Sequence, residues 1–293
     1  MIGFGVVPDH AARYAAILRD LEDEGAALER TLVGLAHEDW RLSTQSSGWT
    51  VAHQVGHLEI TEQLMRLAIL DERAFRERAT TSRVRPEISP ADLERPDFAQ
   101  VALTGWLRSR DALLEAFRSV DAGRRIPWMG PSMSVASAAT SRIMEIWAHG
   151  QDVLDAIGRT RPATSRLRHI AHLAVAARDY SFLNRGLPAP SVPFRVEIAG
   201  PDGELWAWGP EDAPQRVCGE AYDFALLATR RIHRADARVE ATGRDAVTWM
   251  RTIQAYAGPP GPRRRPVGAR ARDSPRTAAE AGPIPDPNIY QVD

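Results

Sequence analysis

Two short stretches of this chain carry side chains that belong together in a metal site. In Met144-Glu145-Ile146-Trp147-Ala148-His149-Gly150-Gln151-Asp152, Glu145 and His149 stand four residues apart. On a helix both project from one face, one turn above the other. A stacked carboxylate and imidazole make half of a divalent metal site, and the other half must come from a different helix. The best candidate is His57, in Gly48-Trp49-Thr50-Val51-Ala52-His53-Gln54-Val55-Gly56-His57-Leu58. A lone His on an apolar face is more often a satisfied core residue, so His57 gains its weight from the Glu145/His149 pair. That pair is poorly explained as a surface ion pair, which is worth little. Met144, Ile146, Trp147 and Ala148 leave little of the segment free to face water, and an unpaired Glu is rarely buried.

Two imidazoles and one carboxylate suit Zn²⁺, and three protein ligands leave a coordination position for water or substrate, the pattern of catalytic zinc. Manganese, nickel or iron also accept this donor set. His53, four residues before His57, offers an alternative ligand geometry; as the third residue after a Thr50 cap it is expected at the helix mouth. Asp152, three beyond His149, reads either as an acceptor for a ligand imidazole or as an ordinary surface acid. His10, His37, His169, His172 and His233 have no supporting motif. Trp206 and Trp208 share one strand face, where packing is favoured over a ligand wall. Cys218 lacks a CxxC partner, and the chain has no GxGxxG opening a helix, no P-loop and no HExxH.

The elements that must position these residues follow from periodicity. Helical spacing of apolar residues runs from Asp9 to Ala36, then from Val51 to about Arg78. Thr50 reads as the N-cap of the second helix and Trp49 as a hydrophobic staple. Arg83 to Asp97, with three prolines, is a connection. A third helix is expected over Phe98–Val120, an apolar loop over Ile126–Pro131, and a fourth helix over Val135–Ile157, ending at Gly158. These make residues 1–162 a metal-binding four-helix bundle. A helix over Ser165–Leu183, a hairpin pairing Phe194–Ile198 with Leu205–Trp208, a helix over Glu220–Ile232, a strand over Ala237–Ala241 and a helix over Asp245–Tyr256 make a smaller α+β domain, residues 163–262. The fold class is α + (α+β). Residues 263–293, opening on Arg263-Arg264-Arg265, have little core-forming content and are expected to be disordered or loosely draped.

A chain of 293 residues with 44% hydrophobic content buries a sizeable core, and its net charge of −1 gives no pull toward nucleic acid or an anionic membrane. Every basic residue is Arg, which excludes a Lys Schiff base. The single cysteine excludes an internal disulfide and makes a reducing cytoplasm the default. No stretch is long and apolar enough to span a bilayer. A monomer or homodimer acting on a small molecule is expected.

The two motifs, Gly48-Trp49-Thr50-Val51 with Gln54-Val55-Gly56-His57-Leu58, and Glu145-Ile146-Trp147-Ala148-His149-Gly150-Gln151-Asp152-Val153, resemble the DinB-like superfamily, in particular the actinobacterial mycothiol-dependent maleylpyruvate isomerase family and its metal-binding relatives. The resemblance covers about residues 8 to 160. Tyr222-Asp223-Phe224-Ala225-Leu226-Leu227 and Ala241-Thr242-Gly243-Arg244-Asp245-Ala246-Val247-Thr248-Trp249 look like the smaller domain that follows the bundle in these relatives. The resemblance implies zinc held by His57, Glu145 and His149, mycothiol as co-substrate, and a catalytic arginine in the second domain, for which Arg230 and Arg231 are the nearest matches. His53 stands where the family has an acidic residue, which is expected to break the capping box after Thr50 and makes His53 a third catalytic candidate.

Three functions fit. In the first, the open metal position binds a low-molecular-weight thiol, whose thiolate adds to an electrophile for isomerisation or S-transfer, while an arginine orients a substrate carboxylate. In the second, the metal is a Lewis acid for a thiol-independent isomerase, cyclase or hydrolase. In the third, the bundle is a non-enzymatic metal-bound scaffold, with the site closed by a fourth ligand such as His53.

Overall fold

A computed structural model describes residues 10–81, 84–258 and 264–267. The bundle consists of α1 (His10–Val33), α2 (Val51–Leu70), α5 (Phe98–Arg118) and α6 (Val135–Ala156), with two shorter helices, α3 (Glu72–Thr81) and α4 (Pro90–Glu94), between α2 and α5. Contacts run around the ring, α2 against α5 and α6, and α1 against α6 and α5. Leu21, Leu28 and Leu32 of α1, Val55, Leu58 and Met65 of α2, Trp106 and Phe117 of α5, and Ile143 and Ile146 of α6 form its core. Among the described residues no helix is long and apolar enough to cross a membrane.

The expected second helix is two. Asp71 leaves the helical region (φ −149°, ψ 87°), and its Oδ1 accepts from the Ala74 amide at 3.0 Å, the hydrogen bond of an N-cap that restarts the chain as α3. The apolar loop expected at Ile126–Pro131 is instead a hairpin, β1 (Arg125–Trp128) with antiparallel β2 (Gly130–Ser134). It tolerates Pro127 because a two-stranded ribbon has only edges. Ser134 then caps α6, accepting from Ser137 N at 3.1 Å.

The second half opens with α7 (Leu167–Ala176) and α8 (Arg178–Leu183), two helices where one was expected. Its four-stranded sheet, ordered β4-β3-β5-β6, comprises β3 (Phe194–Ala199), β4 (Leu205–Trp208), β5 (Gln215–Glu220) and β6 (Val239–Thr242), with α9 (Ala221–Ala228) and α10 (Arg244–Thr252). The expected β3–β4 hairpin is present with Ile198 opposite Trp206. Strand β5, which periodicity missed, lies parallel to β3 and antiparallel to β6. Its sequence is mostly polar, with Val217 alone buried along it, so it is held by backbone ladders on both sides rather than by an apolar face. Gly219 is required there, since a Cβ would come within 2.6 Å of the Arg238 carbonyl oxygen.

The two cores meet on α6. Ile143, Ile146 and Val153 face the bundle, while Met144, Trp147 and Ala148 pack with α7, α9 and the sheet. Arg263 and residues 268–293 of the expected tail lie outside the described residues. Arg264 does not fit the expectation of a loose tail: it reaches Asp152 and Gln45.

One bundle layer buries a polar group. Glu62 is 1% exposed; its Oε1 accepts from Trp106 Nε1 at 3.2 Å, and its Oε2 has no hydrogen-bond partner among the described residues. Burial pushes its carboxyl up to about 8, against the opposing charge of Arg142. The folded state therefore holds a proton that the unfolded chain releases near pH ~4.3. This contribution to stability is complete below that pH, declines as pH rises to about 8, and is flat above. Urea titrations should show wild-type stability falling relative to Glu62→Gln by roughly 3–5 kcal/mol over that window. Parallel pH curves for the two proteins would overturn this assignment.

Candidate metal centre

Helix α2 supplies His57 and α6 supplies Glu145 and His149, and the fold brings all three together. One ligand atom from each lies within 4.8 Å of the others. Glu145 Oε2 is 3.2 Å from His149 Nε2 and 3.8 Å from His57 Nε2, and the imidazole centroids are 4.5 Å apart.

The far side of each ring is held. His57 Nδ1 donates to the Val84 carbonyl at 2.7 Å. His149 Nδ1 donates to Gln54 Oε1 at 2.5 Å, and Gln54 is oriented in turn by donating from Nε2 to Thr44 Oγ1 at 2.8 Å. With Nδ1 protonated in both rings, both Nε2 lone pairs point at the carboxylate. That is the tautomer and second-layer arrangement of metal-ligating histidines, and the donor set fits a divalent ion. Val84 reaches α2 because residue 56 is Gly, where a Cβ would stand 3.0 Å from Pro86 Cγ.

Burial and the neighbouring His57 push His149 down to about 4, so it is a neutral imidazole at neutral pH. Burial alone would raise Glu145, but the adjoining His149 and His57 rings and the charge of Arg142 outweigh it and hold the carboxyl well below the usual range. Both groups are in the protonation state a metal requires.

Trp49 forms one wall, its ring 5.4 Å from His57 and stacked at 20° on His149 at 6.1 Å. The staple expectation is corrected: the residue it would pack against, Gln54, is polar and serves His149, and Trp49 covers the imidazoles instead. The broken capping box is corrected too. His53 Nδ1 accepts from the Thr50 amide at 3.3 Å and lies 2.8 Å from Thr50 Oγ1, so an imidazole does what the family's carboxylate would. Burial, then Arg85, lower its pKa. His53 is outside the cluster of three ligands found among the described residues.

Asp152 does not serve a ligand imidazole, since Gln54 holds that position. Wholly buried, Asp152 accepts from Arg231 Nη2 at 2.8 Å, Arg264 Nη2 at 3.0 Å and Ser46 Oγ at 3.3 Å. Arg231 also donates to the carbonyls of Ala148 and Thr229, and its charge reaches His149. Arg230, in the left-handed region at φ 62°, faces Tyr256 together with Arg231 and Arg185, and Tyr256 also senses Glu145. The second domain thus brings arginine charge near the three candidate ligands. Spacing did not single out Gln54, Val84 or Arg264. Of these only Gln54 carried a signal, as a polar residue one turn before His57 within the same motif.

The family model described as the mycothiol maleylpyruvate isomerase N-terminal domain matches residues 21–154, a span that holds all three candidate ligands. Two uncharacterized proteins from two strains of Mycobacterium tuberculosis are 44% identical over 254 residues, covering 83% of this chain and 95% of each relative. The chain belongs to the mycothiol-dependent maleylpyruvate isomerase family. Two crystal structures of the mycothiol-dependent maleylpyruvate isomerase, one of a histidine-to-alanine mutant, match with a TM-score of 0.52 at 13% and 14% identity, over 82% of this chain and 95% of theirs. At that identity the likeness is one of fold, and it spans the bundle and the α+β part. A second family model, described as wyosine base formation, matches residues 190–240, from just before β3 into β6.

Proposed function

We propose that this protein is a metal-dependent enzyme in which His57, Glu145 and His149 hold a divalent ion, zinc by donor type, and in which a low-molecular-weight thiol of the mycothiol kind attacks a small electrophile, for isomerisation or S-transfer. The observation that carries the reading is the pair of Nδ1–H bonds, to Val84 O and Gln54 Oε1, which aim both Nε2 atoms at one carboxylate. The family's own name supplies the thiol and the class of reaction. When bound, the ion would act as a Lewis acid and lower the pKa of a thiol in the open position.

The chain's residues do the rest. Trp49 excludes water from one side of the imidazoles. Arg230 and Arg231 supply positive charge for a substrate carboxylate, with Arg231 fixed in place by Asp152. Among the described residues His53 stands apart from the three side chains whose ligand atoms converge, which speaks against a site closed by a fourth ligand and so against a scaffold role. The domain limits that serve this chemistry are 1–162 for the bundle and 163–262 for the α+β part.

The test is to assay the zinc-loaded protein on maleylpyruvate and related electrophiles with and without mycothiol. Turnover that requires both zinc and the thiol is expected. Equal turnover without thiol would overturn the thiol step while leaving the metal. Gln54→Leu, which releases His149 Nδ1, should weaken zinc binding by about 10–100-fold, measured by chelator competition; unchanged affinity would mean that Gln54 does not orient the ligand.

A further inference from the structure

Arg264 lies beyond the second domain and outside both matched family models, yet its side chain touches three walls of the candidate centre. A guanidinium presents five N–H donors in a rigid planar fork and no acceptor. Arg264 Nη2 donates to Asp152 Oδ1 at 3.0 Å, one helical turn beyond His149. Its Nε donates to the Arg230 carbonyl at 3.3 Å, in the turn that carries Arg230 and Arg231. Its Nη1 donates to Gln45 Oε1, in the loop that ends at Trp49. That loop is closed by Trp49 N to Ser46 O (3.0 Å) and Thr44 N to Trp49 O (2.8 Å). Three residues on, the Val267 amide donates to Asp236 Oδ2 at 2.9 Å, a second attachment.

We propose that Arg264 is a positioning residue of this centre. It locks the Trp49 loop, the His149 turn of α6 and the Arg230–Arg231 turn into one arrangement, so that the chain after the second domain is part of the site. Asp152 fits this role. Its two oxygens are divided between Arg231, which comes from the second domain, and Arg264, so a single buried carboxylate couples the two arginines to α6. The inference rests on the metal reading for its consequence in catalysis, but not for its geometry, which is a property of the metal-free chain.

The experiment uses the full chain, metal-free and cobalt-loaded, as wild type, Arg264→Ala, Arg264→Lys and Gln45→Ala, with Arg265→Ala as a control. Amide hydrogen exchange at Thr44, Trp49 and Val51 in the metal-free protein should accelerate about tenfold in Arg264→Ala, the scale of one charge-assisted hydrogen bond. Arg264→Lys should not rescue it, because a single ammonium cannot reach three separated acceptors. Gln45→Ala, which removes only the loop arm, should speed exchange in the loop alone and keeps the test open if Arg264→Ala misfolds. Cobalt affinity should fall about tenfold in Arg264→Ala, with a changed visible spectrum. Unchanged loop exchange in Arg264→Ala and Gln45→Ala would overturn the positioning role. Failure of the metal reading would look different: no cobalt bound by wild type, with exchange still faster in Arg264→Ala.

Discussion

Replacing His149 with alanine is expected to abolish metal binding at the candidate centre. Loss of an outer partner alone typically costs about 10–100-fold in affinity, and this change removes one of three direct donors, so the loss should be larger. What remains is His57 Nε2 facing Glu145 Oε2 across 3.8 Å, a pair with no third donor. Glu145→Gln should behave alike, because it keeps the shape of the site and removes the negative charge that balances the cation. With free zinc near 100 times the wild-type Kd, bound metal should stabilise the wild type by about 2.7 kcal/mol and the variants not at all. Elemental analysis of the isolated proteins and thermal unfolding with and without zinc measure this. Retention of one equivalent of zinc at wild-type affinity in His149→Ala would sink the assignment, and with it the thiol chemistry that depends on it.

Glu24→Ala is expected to be among the most destabilising single changes in the chain. Glu24, on α1, is 1% exposed and accepts from two arginines of the segment after α6: Arg161 Nη2, and Arg166 Nε at 2.7 Å. Arg161 also donates to the Trp147 carbonyl at 3.1 Å and lies over the Trp147 ring at 5.3 Å. The carboxylate therefore ties the bundle to the point where the second core begins. Alanine would leave two cations in place, at 13% and 16% exposure, with no counter-charge. Breaking a buried pair by removing one partner costs about 3–5 kcal/mol, which corresponds to a Tm lower by about 10 °C for a chain of this size. Urea unfolding should report it while zinc stoichiometry stays at the wild-type value. A loss under about 1 kcal/mol would show that water replaces the carboxylate without strain.

Helix periodicity located the bundle most directly at α1 and α5, which bury one face each, since an apolar stripe recurring at three and four residues is what a half-buried helix leaves in a sequence. The same reasoning merged α2 with α3, since the apolar period runs on through a break made by one Asp71 side chain. It missed β5, whose place in the sheet comes from partners on both sides, and it gave no sign of the β1–β2 hairpin. A strand held by its neighbours carries little of its own signal.

The trio His57, Glu145 and His149 was legible because two of its members are fixed relative to each other by helical geometry alone, and the third sits in a motif shared with the family. What orients them was not legible. Val84 acts through a backbone carbonyl, which every residue possesses. Asp152 has the right spacing for the imidazole but is claimed by Arg231, Arg264 and Ser46. Arg264 lies 112 residues from Asp152 and 219 from Gln45, in a stretch whose composition suggests no structure. Donor types, the helix faces that carry them and the family could be read from the chain alone, because these depend on local spacing and residue chemistry. Which ring nitrogen is held, which acid meets which arginine, and which wall Trp49 forms were decided only by the tertiary structure. Each is a contact between segments distant in the chain, and it is packing that selects one partner from many of equal chemistry.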